Sequence, residues 1–232
     1  MSDEAAHASA TQAIRVWDLP TRIFHWLLAA LVVLSFVSAW IGGGTMAWHM
    51  RFGYGTFTLL LFRLAWGVVG GRWSRFANFV HGPRAALRYL RNASRPDERH
   101  HVGHNPLGAW SVLALLTVLA IQVGTGLVAD DEVSFNGPLL KFVSSATSSL
   151  ATHWHRNVGQ WLVLSLVVLH VGAIAFYWTR RRQDLVAPML HGDKMLTLDV
   201  PPSIDTLGSR AMALAIAAFC AIAVAAVVRL GG

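Results

Sequence analysis

Five stretches of this chain are apolar for roughly the width of a bilayer, which takes about 20 residues of helix to cross. Residues 23–41 carry no charge and one histidine, residues 107–129 no charge at all, and residues 158–179 only His170. Residues 52–71 are interrupted by Arg63 alone, and the alanine-rich run 211–228 is the shortest of the five. Inside hydrocarbon every backbone N–H and C=O must find a partner within the protein. Runs of this length therefore predict helices, and the chain reads as an all-α integral membrane protein. Composition agrees: 13% of residues are charged and mean hydropathy is +0.47, against about a quarter charged in a soluble domain.

Arginines set the orientation. Arg72, Arg75, Arg84, Arg88, Arg91, Arg95 and Arg99 lie between spans two and three, Arg180, Arg181 and Arg182 follow span four, and Arg15 and Arg22 precede span one. The opposite loops hold no charge in residues 42–48, and Asp130, Asp131 and Glu132 against Lys141 in residues 130–153. Positive-inside bias places the N-terminus in the cytoplasm. The net charge of +7 is mostly this topology signal, so no nucleic-acid partner is expected. Span one is not read as a signal peptide: it is longer than a typical apolar core of one, and Ser38-Ala39-Trp40 makes a poor cleavage site.

Four regions follow. Residues 1–14 are a polar cytoplasmic tail expected to be disordered, residues 15–192 a four-span transmembrane domain, residues 193–210 a cytoplasmic connector, and residues 211–232 a C-terminal transmembrane helix. Within the cytoplasmic loop, Leu87, Tyr89 and Leu90 alternate with arginines after Pro83, as in a helix lying along headgroups. The apolar residues Phe135, Leu139, Leu140, Phe142 and Val143 suggest that the 130–152 loop partly re-enters the interface. Most of the ten tryptophans fall near span ends, where interfacial anchoring explains them. Cys220 is the single cysteine, so no intramolecular disulfide forms, and without a C-x-x-C-H motif a haem could not be held covalently.

Four histidines sit in or at the mouths of the spans: His25, His49, His155 and His170. An ionisable group at membrane depth is a functional-site hypothesis by default. In an N-in topology His25 and His170 share the cytoplasmic depth, while His49 and His155 share the periplasmic one. On a regular helix His155 and His170 are about 22 Å apart and about 60° apart in phase, so span four offers one imidazole to span one and another to span two. Two imidazoles per iron describe a bis-histidine b haem, and two pairs describe a four-helix bundle with two non-covalent haems. Gly53, Gly159, Gly124 and Gly126 would let helices and porphyrin approach. A single such histidine is as often a helix–helix hydrogen-bonding residue; two depth-matched pairs make that reading the weaker one. His153, two residues before His155, stays open as a rival. His100, His101 and His104 read as part of a solvated basic loop. Arg22, one turn before His25, and Arg63, the one charge inside a span, are candidate partners of haem propionates or a quinone; snorkelling to headgroups is the bland alternative for Arg63.

These residues resemble the bacterial cytochrome b561 and hydrogenase-type cytochrome b subunits. The carriers are Val16-Trp17-Asp18-Leu19-Pro20-Thr21-Arg22-Ile23-Phe24-His25-Trp26, Trp48-His49-Met50-Arg51-Phe52-Gly53, Leu61-Phe62-Arg63-Leu64-Ala65-Trp66-Gly67 and Gly103-His104-Asn105-Pro106-Leu107-Gly108-Ala109, with His155, Gly159 and Leu166-Val167-Val168-Leu169-His170 in span four. The resemblance covers roughly residues 15–192. It implies a four-helix core, two b haems on the four histidines, and electron exchange between membrane quinone and a redox partner. In the family pattern about fourteen residues separate the two span-four histidines. Here the interval is one longer, and the fifth span lies outside the pattern.

The reading is a multi-pass di-haem cytochrome b that transfers electrons between the ubiquinone or menaquinone pool and a periplasmic c-type cytochrome or redox enzyme. A homodimer is left open. Two rivals stand beside it: a superoxide:quinone oxidoreductase, against which the acidic 130–132 stretch argues electrostatically, and a cofactor-free transporter, which would normally carry Asp or Glu within its spans.

Overall fold

The computed structural model describes residues 11–80, 82–92, 102–197 and 199–231. His7, His81, His100, His101 and residues 1–10 of the expected tail lie outside the described residues. Among the described residues, five helices are long and apolar enough to cross a membrane: Leu19–Ile41, Gly43–Val69, Pro106–Gly126, Ser145–Arg181 and Leu207–Arg229. The expected helical membrane bundle is what the chain forms.

Helix α1 (Leu19–Ile41) begins on Asp18, whose carboxylate accepts the Thr21 N–H at 2.8 Å, with Pro20 in the first turn. An N-cap of this kind contributes about 1 kcal/mol. The helix ends at Gly42, and both Gly42 and Gly43 have positive φ, 70° and 57°, where a side chain would be strained. Thr45 closes that turn by donating to the Ser38 and Gly42 carbonyls. Helix α2 (Met46–Val69) therefore folds back along α1, and a methyl on Gly55 would meet Leu31 at 2.9 Å. Small residues that admit close backbones take the place of a hydrophobic drive between helices in lipid.

A short helix α3 (Phe76–Phe79) and the arginine-bearing α4 (Pro83–Asn92) follow at the same end as the start of α1. Asn105 then caps α5 (Pro106–Gly126), accepting the Gly108 N–H at 2.7 Å. Span four starts earlier than its apolar run. Helix α6 (Ser145–His153) passes through a π-helical turn (Trp154–Gly159) into α7 (Gln160–Arg181) without a break. Leu60, Leu119 and Val163 bring α2, α5 and α7 together. The last long helix, α9 (Leu207–Arg229), lies on the other flank of α2, where Ala213 and Cys220 pack with Phe24, Phe62 and Trp66. Large apolar side chains such as Trp40, Val168 and Phe219 stay exposed, as a lipid-facing surface requires.

The described end of the expected tail and the start of the expected connector are ordered against each other as strands. Strand β1 (Gln12–Arg15) pairs antiparallel with β2 (Asp193–Leu196), which follows the short helix α8 (Val186–His191). The ribbon is continued by Val16 and Trp17 donating to the Gly192 carbonyl and by Ser203 donating to the Arg15 carbonyl. Arg15 and Arg210 meet on Asp205, at 2.7 and 2.8 Å. Each strand is too short to signal itself. Only the pairing across the whole chain makes it a strand.

Candidate functional site

The turn at residues 42–45 puts His25 and His49 at opposite ends of the α1–α2 hairpin. At the end carrying the 130–138 loop, His49 in the first turn of α2 faces His155 in the π-helical turn, with ring centroids 5.9 Å apart. His49 Nδ1 is 2.9 Å from the Ser35 carbonyl, and His155 Nδ1 is 2.8 Å from the Gln122 carbonyl. A carbonyl oxygen can only accept, so each Nδ1 carries the proton and each Nε2 keeps its lone pair. That is the tautomer a metal ligand needs, oriented by a second hydrogen bond. Around the pair opens a cavity of about 610 Å³ lined by Gly53, Gln122, Gly126 and Val163 among others.

Backbone geometry makes room for the rings. A Cβ on Gly126 would come within 2.8 Å of His155 Cε1, whereas one on Gly53 would meet nothing within 4 Å and would project into open space. Gly159 serves helix packing instead of the cavity: a Cβ there would strike Gln122 Oε1 and Trp154 Nε1. The π-helical turn bears on the long histidine interval. It houses one more residue than an α turn, so the extra residue between His155 and His170 is absorbed locally. Within that turn the His155 carbonyl accepts from the Gln122 side-chain amide at 2.9 Å. His153, the rival, is exposed, sits against Asn157 at 3.2 Å, and lines a separate cleft.

At the other end, His25 and His170 face each other with centroids 6.3 Å apart. His25 Nδ1 is buried with no hydrogen-bond partner among the described residues. Two imidazole–metal bonds of about 2 Å and the offset of about 1 Å from each ring centre to its nitrogen add to about 6 Å. Both pairs have the separation of imidazoles on the two faces of one metal ion. Neither pair is joined by a third side chain: among the described residues no three His, Cys, Asp or Glu groups gather as a metal site. A porphyrin, whose own nitrogens supply further donors, would complete such a donor set where a bare ion would be under-ligated. The residues present fit haem.

Near the His25–His170 pair lies a polar knot that composition did not reveal. Asp18 is fully buried and accepts from four donors: Thr21 N and Trp66 Nε1 at Oδ1, and Gly71 N and Ser74 Oγ at Oδ2. It ties the start of α1 to the end of α2. Arg63 is buried at 3% exposure over the Phe76 ring, 4.4 Å from its centroid, and its Nη1 has no partner among the described residues. Arg22 donates to the Leu190 carbonyl at 2.6 Å, with Asp205 at 4.0 Å, and its Nε is buried with no partner among the described residues. His104 corrects the solvated-loop expectation. Its ring is wedged between Trp17 and Phe79, at 4.7 and 4.6 Å, and its Nδ1 is shielded and unpaired among the described residues. Burial first, then the charges of Arg63, His170 and His25, push its pKa down to about 3.

Asp18, Gln122 and His104 are the residues that the histidine pattern missed. Asp18 had a signal, an acidic residue just ahead of Leu19-Pro20 at a helix start. Gln122 is an amide within a membrane span, which calls for a partner. Burial of His104 had no local signal.

A five-helix membrane bundle with two facing histidine pairs defines the class: a membrane cytochrome of the b type. The chain belongs to the prokaryotic cytochrome b561 family, whose model matches residues 16–192. Membership makes it a multi-pass electron-transfer protein with haem b as its cofactor. The chain is similar to the probable Ni/Fe-hydrogenase B-type cytochrome subunit of Rhizobium leguminosarum bv. viciae, 23% identical over 216 residues, 79% of this chain and 90% of that one. It is similar to that of Cupriavidus necator, 26% over 224 residues, covering 82% and 91%. The probable Ni/Fe-hydrogenase 1 B-type cytochrome subunit of Escherichia coli K12 is 28% identical over 190 residues, covering 67% and 80%. No solved structure matches the chain.

Proposed function

We propose that this chain carries electrons across the bacterial inner membrane through two non-covalent b haems, between the quinone pool and a redox enzyme docked on the periplasmic face. The observation that carries the reading is the pair of facing histidine couples, 5.9 and 6.3 Å apart, at opposite ends of one bundle. His25 with His170 would hold the cytoplasmic haem and His49 with His155 the periplasmic one. Reversible one-electron iron chemistry is what the group supplies when bound.

The protein's own residues bind and orient. Ser35 and Gln122 carbonyls fix the outer imidazoles with Nε2 free, Gly126 leaves space for the His155 ring, and Arg63 offers a positive charge at the inner end. The arginine-bearing end, with α4 and Arg180 to Arg182, is the cytoplasmic one by the positive-inside rule. Relatives whose names make them hydrogenase subunits favour a redox enzyme over a c-type cytochrome as the partner.

Addition of quinol to the purified protein tests the reading. Quinol should reduce b-type absorbance in two spectrally separable steps, and an oxidant restricted to the periplasmic side of vesicles should reoxidise it. Absence of b-type absorbance, or absorbance that quinol leaves oxidised, contradicts the proposal. Quinone reduction driven by superoxide alone, without a partner protein, would assign the oxidoreductase activity instead.

A further inference from the structure

The inner end of the bundle gathers basic groups around a carboxylate that is already fully used. Asp18 is the carboxylate whose charge reaches Arg63. A carboxylate offers about four lone-pair sites, and Thr21 N, Trp66 Nε1, Gly71 N and Ser74 Oγ occupy all of them at 2.8 to 3.1 Å. Arg63 therefore has Asp18 as a neighbouring charge and not as a hydrogen-bonding partner. Its Nη1 stays buried and unpaired among the described residues, as does His104 Nδ1. A buried hydrogen-bonding group without a partner is unfavourable, so a sequence that keeps both atoms shielded and unpaired points to an acceptor supplied from outside the chain.

Phe79 places the two groups together. Arg63 lies over its ring at 5.9 Å and His104 packs against it at 4.6 Å. The charges of both His25 and His170 reach His104, so the orphaned donors border the inner histidine pair. Gly67 fixes Arg63 from behind: its missing side chain admits the Phe76 ring on which the guanidinium rests.

Building on the di-haem reading above, we propose that Arg63 and His104 form a two-point receptor for a carboxylate, the propionate of the haem held between His25 and His170. An acceptor with full negative charge answers both observations at once. It neutralises the buried guanidinium, and it accepts the imidazole N–H in a charge-assisted bond. A quinone carbonyl would satisfy the hydrogen bonds but would bring no charge, leaving the guanidinium with only the already occupied Asp18 carboxylate as a neighbouring charge.

The experiment is transfer of haem from the purified holoprotein to excess apomyoglobin, followed separately for the inner and outer spectral components. Arg63→Leu and His104→Phe should each speed loss of the inner haem about tenfold, the loss of one charge-assisted hydrogen bond of about 1.5 kcal/mol. The outer haem should leave at the wild-type rate. His104→Gln, which keeps an N–H donor, should hold the inner haem nearly as well as the wild type, separating the bond from mere packing. Unchanged inner-haem loss in the Leu and Phe variants overturns the proposal. So does unchanged loss combined with a raised half-saturation for quinol, which would give the two donors to quinone. A wild-type protein without haem would instead sink the di-haem reading itself.

Discussion

Gln122 and His155 are joined twice. The Gln122 amide donates to the His155 carbonyl at 2.9 Å, and His155 Nδ1 donates to the Gln122 carbonyl at 2.8 Å. One bond anchors the backbone of the π-helical turn to α5, and the other aims the imidazole. Gln122→Leu removes the first and leaves a buried carbonyl unpaired at a cost of about 1–3 kcal/mol. The outer haem should be lost or bound several-fold more weakly while the inner haem is retained, measured from the two components of the reduced-minus-oxidised spectrum. Equal loss of both would show that Gln122 serves the whole bundle and not this turn.

Gly126 and Gly53 make a matched contrast. A methyl at Gly126 meets His155 at 2.8 Å, whereas a methyl at Gly53 meets no protein atom within 4 Å and intrudes only on the cavity. Gly126→Ala should displace the His155 ring and lower both thermal stability and outer-haem content. Gly53→Ala should leave stability of the haem-free protein unchanged and lower outer-haem content alone. Thermal unfolding with and without haem distinguishes them, and a Gly53→Ala protein destabilised without haem would refute the cavity assignment.

Asp18 holds four donors from three segments, so its removal should be felt as a stability defect on the order of 3 kcal/mol. Asp18→Ala should lower the unfolding temperature in detergent markedly, and Asp18→Asn should fall between, since an amide can accept from some of the four but turns its NH₂ toward the rest. A wild-type unfolding temperature in Asp18→Ala would contradict the buried knot.

The ribbon that joins the chain's two ends should open in acid. Burial raises the Asp205 pKa, but hydrogen bonds from Arg210, the Leu19 backbone and Arg15 outweigh it and leave the carboxyl below its ordinary value. A depressed carboxylate stabilises the fold above its unfolded pKa of about 4, and that stability is lost as pH falls through the folded value. Hydrogen exchange at the Ser203 amide, which donates to the Arg15 carbonyl, should therefore accelerate below about pH 4 beyond the intrinsic pH trend. Asp205→Asn should exchange fast throughout and lose that dependence. An acid response unchanged in Asp205→Asn would move the switch to another carboxylate.

The spans and the histidines were legible because their signals are local or periodic. Hydrocarbon thickness fixes run length, and depth follows from counting residues along helices, so His25, His170, His49 and His155 could be grouped before any coordinates. The π-helical turn that carries His155 has no local marker in the sequence, and its contact with Gln122 comes from another helix. The strands at Gln12–Arg15 and Asp193–Leu196 were invisible for the same reason: four residues carry no usable alternation, and their partner lies at the far end of the chain. Nothing local marks His104 either: its neighbours in sequence are basic and polar, while its neighbours in space are Trp17 and Phe79.

The central claim is that the four histidines act as two pairs, and haem stoichiometry across double variants tests it most directly. Pyridine haemochrome analysis of the purified wild type should give about two haems per chain, as two bis-histidine sites require. His25→Ala/His170→Ala should keep one haem, as should His49→Ala/His155→Ala, because each double removes a single site. His25→Ala/His49→Ala should keep none. A wild type with one haem, or a His25→Ala/His49→Ala protein that retains one while His25→Ala/His170→Ala loses both, would contradict the account.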